Sequence, residues 1–194
     1  LSFDNGDYVT VAGNAALRPL STGYTISAWA KPTAFQAMIS NMGNVVVSKY
    51  DDSLTQRAYA LQFDQTGLVQ FVDGGSGCSS GSTTIMNSTV TASAGQWYHL
   101  VGVWDGSTMR IYVNGVLSGT PTAKTTTCTT TTAPFAIGAR YGNGNPASSR
   151  FTGSIDEVKY FNVPLTEDQV RQEYNSGAAL NFGSTAADEG STYF

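Results

Sequence analysis

Residues 95–115 read Gly-Gln-Trp-Tyr-His-Leu-Val-Gly-Val-Trp-Asp-Gly-Ser-Thr-Met-Arg-Ile-Tyr-Val-Asn-Gly, and this stretch decides the class of fold. Trp97–Trp104 and Met109–Val113 are strand-length runs of aromatic and β-branched residues. Asp105-Gly106 separates them, and Asn114-Gly115 closes the second run. Asn-Gly accepts positive φ at both central positions of a type I′ turn, so it reverses a strand cheaply.

Moving outward, the same grammar recurs. Tyr24–Lys31 alternates with period two: Ile26, Ala28 and Ala30 share one face, and Thr25, Ser27, Trp29 and Lys31 share the other. Leu1–Val11, Val45–Tyr50, Ala58–Phe63, Leu68–Val72, Thr84–Val90, Phe135–Ala139 and Ile155–Phe161 are further strand patterns. Many short strands between turn residues predict an all-β, antiparallel β-sandwich or barrel. Ile26, Leu61, Ile111 and Val113 are expected in its core.

One helix is expected, near the C-terminus. Thr166 and Gln169 form a capping box, Leu165 and Val170 a hydrophobic staple, and Gly177 supplies the stop. The sequence therefore predicts one domain over 1–177, with 178–194 as a C-terminal tail or linker. Because Leu1 already lies in a strand pattern, a mature or excised segment is expected.

Composition narrows the function. Hydrophobic residues make up 41% of the 194 residues and charged residues 12%, with a net charge of −4. So little charge argues against a coiled coil. The negative balance argues against a nucleic-acid partner. No apolar run is long enough to span a membrane.

Cys78 and Cys128 sit in Gly/Ser- and Thr-rich surroundings. Two exposed loop cysteines of this kind predict one disulfide, an oxidising compartment and an extracellular or cell-surface location. Thr120–Thr132 reads as a β-prone exposed loop or edge strand pinned by Cys128, or alternatively as an O-glycosylated loop. Asn87-Ser88-Thr89 fits the N-glycosylation pattern.

Catalytic signatures are missing. His99 is the single histidine, and its parity with Val101 and Val103 makes it a core or edge residue. Paired carboxylates in an E-x-D-x-x-E arrangement do not occur. Asp156 and Glu157 are adjacent, so on a strand they point to opposite faces and cannot act as a pair. An enzyme would need acids from separate strands, with Asp51, Asp52, Asp64 and Asp73 as the residues to locate.

Five segments, Leu1–Val11, Tyr24–Pro32, Val46–Tyr50, Gly95–Gly115 and Phe151–Val170, together resemble the laminin-G-like jelly roll. This is the concanavalin A-like lectin/glucanase superfamily, in its bacterial, pentraxin-related branch. The resemblance covers about residues 1–176 in order. It implies two antiparallel sheets and a module that binds glycans or proteins, often attached to secreted enzymes, adhesins or pilins.

Carboxylates and carbonyls near the first and last strands suit Ca²⁺, or else they merely organise turns. The resemblance implies a structural Ca²⁺ at Asp4 and Asp156, with carbonyls near Asn5 and Gly153.

The leading functional expectation is a non-catalytic extracellular carbohydrate-binding or adhesive module with a glycan or cell-surface protein as partner. Sugar sites combine aromatic platforms with polar groups. The outer-face set Trp29, Arg110 and Tyr112 is one candidate, and the loop set Tyr141, Asn143 and Asn145 is another. The alternative is a structural, self-associating subunit or surface domain of an extracellular filament, pilus or envelope layer, or part of a larger secreted protein. A glycan-active enzyme is the third reading.

Overall fold

The structure is a computed structural model that describes residues 1–4, 6–38, 43–52, 56–142 and 145–177. Its strands in chain order are β1 (Ser2–Phe3), β2 (Val9–Val11), β3 (Tyr24–Pro32), β4 (Asn44–Asp51), β5 (Gln56–Phe63), β6 (Leu68–Asp73) and β7 (Thr84–Thr91). They continue as β8 (Tyr98–Trp104), β9 (Thr108–Val113), β10 (Val116–Leu117), β11 (Thr122–Ala123), β12 (Phe135–Ile137), β13 (Arg140–Gly142), β14 (Asn145–Ser148) and β15 (Gly153–Phe161). Helix α1 (Glu167–Gly177) follows.

The strands form two sheets. One runs β1-β15-β3-β8-β9-β10, with β11 also on β9. The other runs β14-β13-β4-β5-β6-β7, with β12 joining β4 to β2. Among the described residues, the pairings are antiparallel except the contact of β13 with β4. The architecture is the all-β sandwich that the sequence predicts, consistent with a jelly roll.

The core forms where inward parity meets across the sheets. Ile26, Ala28 and Ala30 of β3, Leu100 and Trp104 of β8, and Met109 and Ile111 of β9 face Leu61, Phe63, Val69 and Phe71 of the opposite sheet in one buried cluster. Gly102 has no substitute here: a Cβ at that position would lie 2.5 Å from the Phe71 ring. The expected core residues Ile26, Leu61, Ile111 and Val113 are all buried.

Helix α1 lies over the outer face of the first sheet. Its capping box is made in both directions: Thr166 N–H donates to Gln169 Oε1 at 2.9 Å, and Gln169 N–H donates to Thr166 Oγ1 at 3.3 Å. Val170 packs on Val101, Val103 and Tyr112, with Leu165 beside them. The helix thus covers outward-facing side chains that a bare sheet would expose. This explains why Thr25 and Ser27 are buried despite their outward parity. The expected tail, 178–194, lies outside the described residues.

Cys78 and Cys128 are joined, with Cα atoms 4.7 Å apart. Their expected exposure is corrected, because both are buried. The reason is Asp73, a buried carboxylate at the end of β6. It accepts hydrogen bonds from Tyr24 Oη and Thr127 Oγ1, each at 2.6 Å, and Lys124 Nζ lies 3.4 Å away. Trp104 Nε1 donates to the Lys124 carbonyl at 2.8 Å. These contacts pull the Thr-rich segment and its cysteine onto the end of the sandwich. Thr127 and Thr131 are buried, while Thr125, Thr126, Thr129 and Thr130 stay exposed. Burial pushes the Asp73 carboxyl up, and its hydrogen bonds from Thr127, Tyr24 and Gly75 and the Lys124 charge oppose that rise.

Candidate functional site

The register of the first sheet assembles one site on its outer face. Trp29 of β3 stands opposite Asp156 of β15 on one side and His99 of β8 on the other. Cross-strand partners share a face, so all three point outward. Trp97, just before β8, continues the parity of His99 and is 43% exposed.

A β-bulge then changes the strand's chemistry. Between Asp156 and Lys159, β15 advances three residues while β3 advances two, from Trp29 to Ser27. Glu157 takes the extra place with φ of 45°. A bulge breaks the alternation of side chains, so Asp156 and Glu157 line the same pocket. The expectation that these neighbours face opposite ways is corrected for that reason. Trp29, Trp97, Asp156 and Glu157 enclose a surface pocket of about 360 Å³.

The two indoles differ. Trp29 is half-buried and stacks on Tyr174 of α1, with ring centroids 5.6 Å apart and planes 22° apart. Its Nε1 is buried with no hydrogen-bond partner among the described residues. Trp29 is therefore a fixed wall, and exposed Trp97 is the open platform.

The carboxylates also differ. Asp156 Oδ1 accepts the Glu157 N–H at 2.9 Å. Glu157 lies 3.1 Å from Lys159 Nζ, which also reaches Glu173 of α1 at 2.7 Å. The hydrogen bond from Lys159 to Glu173 leads the causes that raise its ammonium pKa, with its bond to Glu157 contributing.

His99 sits beneath this layer, 2% exposed, with Nε2 2.9 Å from Ser27 Oγ. Its ring lies 5.2 Å from Trp29 and 5.9 Å from Tyr174. Burial lowers its pKa to about 4. It is a packed, neutral imidazole, as its strand parity suggests.

The other expected site residues fall elsewhere. Arg110 is held by Asp105 at 2.5 Å, Tyr112 is buried under α1, and neither is among the described residues that line the pocket with Trp29. Tyr141 is half-buried on the opposite sheet, in β13. Asn143 lies outside the described residues, and Asn145 begins β14. Of the acids proposed for catalysis, Asp52 pairs with Arg57 and Arg140, Asp64 caps the turn to Leu68, and Asp73 is the buried anchor described above. Asp51 is buried at the end of β4.

The implied calcium ligands do not converge. Phe3 pairs with Gly153, and Leu1 exchanges hydrogen bonds with Ile155. Asp4 and Asp156 therefore lie four ladder positions apart, about 13 Å along the strand. Oxygens that share one Ca²⁺ lie within about 2.6 Å of it, so this pair does not fit a common ion. Asp4 closes a local turn instead: its carbonyl accepts the Gly6 and Asp7 N–H groups, and its own N–H donates to Asp7 Oδ2. Gly153 sits in the ladder between Phe3 and Pro32, and Asn5 lies outside the described residues. Among the described residues, no three His, Cys, Asp or Glu side chains gather as a metal cluster. No described helix is long and apolar enough to cross a membrane.

Trp97 and Glu157 are the site residues that sequence reasoning missed. Trp97 carried a usable signal, an aromatic at the mouth of a strand on the outward parity. Glu157 carried none, because nothing in Ile155-Asp156-Glu157-Val158 marks a bulge.

Residues 3–171 match the family described as the concanavalin A-like lectin/glucanases superfamily. No curated protein matches the chain in sequence. Several solved structures share its fold. Domain 4 of AbnA, a GH43 extracellular arabinanase from Geobacillus stearothermophilus solved with arabinotriose, is 20% identical with a TM-score of 0.55, over 78% of this chain and 66% of that one. A carbohydrate-binding protein from Bacteroides ovatus, so described provisionally, is 18% identical with a TM-score of 0.62, over 88% of this chain and 45% of that one. The CBM40 of the Ruminococcus gnavus IT-sialidase is 16% identical with a TM-score of 0.63, over 82% and 84%. The chain thus spans less than two thirds of the first two of these proteins. At such identities the likeness shows the fold alone.

Proposed function

Since the chain belongs to the concanavalin A-like lectin/glucanases superfamily, we propose that it is a non-catalytic, extracellular carbohydrate-binding module. The observation that carries this reading is the pocket formed by Trp29, Trp97, Asp156 and Glu157. An exposed indole offers a flat apolar face for the C–H side of a sugar ring, and neighbouring carboxylates accept its hydroxyl hydrogens. The fold shared with the Bacteroides ovatus protein and the sialidase module supports the same reading. The buried disulfide supports an oxidising, extracellular setting.

The geometry favours binding over hydrolysis. A glycosidase acid needs a desolvated carboxyl set across the scissile bond from its partner. Asp156 and Glu157 are exposed neighbours on one strand, and Lys159 engages Glu157.

A glycan array followed by NMR titration of the best ligand tests the proposal. Shifts should concentrate on Trp29, Trp97, Asp156 and Glu157, and Trp97→Ala should weaken binding about tenfold or more. Binding that ignores Trp97→Ala, or shifts confined to the opposite sheet, would move the site elsewhere.

A further inference from the structure

We propose that this pocket selects glycans carrying a protonated amine, of the de-N-acetylated hexosamine class, over neutral sugars. The inference rests on the carbohydrate-binding reading and adds the chemistry of the ligand.

The charge on the described lining of the pocket is one-sided. Among the described residues that line it, the two with charged side chains, Asp156 and Glu157, are carboxylates. Glu173 stands just behind them, and the ammonium of Lys159 is shared between Glu157 and Glu173. Lys31 follows Trp29 on the outward row of β3, opposite Ser154 on one side and level with Trp97 on the other, and is not among the described lining residues. Among the described residues, three carboxylates therefore face two ammonium groups, and the described lining holds no cation. One Asp156 oxygen has no partner among the described residues. An incoming anion would meet repulsion here, and a neutral hydroxyl would use only part of the acceptor capacity.

The aromatic component points the same way. An ammonium group is drawn to the face of an indole, and more strongly when it is partly desolvated. Trp29 is covered on one face by Tyr174, which leaves Trp97 as the accessible π surface beside the acids. A sugar ring stacked on Trp97 with an ammonium at its edge meets the indole and the carboxylates together. The bulge makes this possible, since a regular β15 would turn one of the two acids away.

The test uses three β-1,4-linked tetrasaccharides that differ only at C2: glucosamine (ammonium), N-acetylglucosamine (acetamide) and glucose (hydroxyl). Affinities are measured by calorimetry at pH 5.5, above the usual carboxylate range. The glucosamine tetramer should bind about tenfold or more tightly than the glucose tetramer. Asp156→Asn and Glu157→Gln should each cut that ratio at least about threefold. Asp168→Asn, on the exposed first turn of α1, should leave it unchanged. Trp97→Ala should weaken binding of all three. Both acids and Trp97 are at exposed positions, so these variants should fold.

Equal affinity for the three tetramers, all lost with Trp97→Ala, would overturn the amine selection while the carbohydrate site stands. A preference that falls equally with Asp168→Asn would reduce it to overall charge and overturn it. Tetralysine binding as tightly as the glucosamine tetramer would overturn the sugar and leave a bare cation site. Failure of the whole glycan array would overturn the underlying reading as well.

Discussion

Asp73 and the Asp156–Glu157 pair put the same chemical group in opposite surroundings. Asp73 is buried and takes hydrogen bonds from Tyr24, Thr127 and the Gly75 N–H, with Lys124 beside it. Asp156 and Glu157 stand exposed around an open pocket and keep acceptor capacity in hand. A buried charge must be satisfied from within the protein, so it organises structure. An exposed, partly satisfied acid beside an indole is free to engage something else. The difference separates scaffold from site without appeal to residue type.

Four experiments can break or sharpen that comparison. Asp73→Ala has the largest expected effect. It leaves Lys124 buried without its counter-charge, at a cost of about 3–5 kcal/mol in urea unfolding. Glycan binding by the fraction that stays folded should be unchanged. A loss of binding without a loss of stability would make Asp73 part of the site.

Replacing Cys78 and Cys128 with serine comes next. A loop closed across 50 residues contributes about 4 kcal/mol in the chain-entropy model. Because Asp73 also fastens this loop, the folded state keeps its order without the bridge, and the observed loss should approach that figure. A double variant with Asp73→Ala should lose less than the sum of the two, as expected for groups that share partners.

The third experiment concerns pH and His99. Its folded pKa, lowered to about 4 by burial, lies below the ordinary 6.5. As pH falls below 6.5 the unfolded chain takes up a proton that the folded chain refuses. The stability present above pH 6.5 is therefore lost on acidification, by about 2 kcal/mol between pH 7.5 and 5. His99→Gln should flatten this part of the profile. An unaltered slope in that variant would mean His99 is not sealed beneath Trp29 and Tyr174.

The smallest effect expected is that of calcium. Because the ladder separates Asp4 from Asp156, adding Ca²⁺ or chelator should shift the unfolding midpoint by less than about 2 °C, under 1 kcal/mol for a chain of this size. A rise of several degrees, removed by Asp156→Asn, would show that ligands other than Asp4 join Asp156.

Much of the fold is legible in the chain. The alternation of Tyr24–Lys31, the runs flanking Asp105-Gly106 and the capping box at Thr166 each report a local preference, and each appears in the structure. The site is legible only in part. Trp29 is visible by its parity. Tyr112 has that same parity, yet it is covered, because α1 returns across the sheet and seats Val170 on it.

What the sequence determined by itself is the set of elements, their inward and outward faces and the residues of the core, because backbone preference and hydrophobic period act over a few neighbours. Only the tertiary structure decided which outward residues stay open. It did so through long-range events: the return of α1 over Tyr112, the slip of β15 against β3 that turns Glu157 beside Asp156, and the ladder register that parts Asp4 from Asp156. Each depends on where one segment lands on another distant in sequence, and no local pattern of residues encodes that distance.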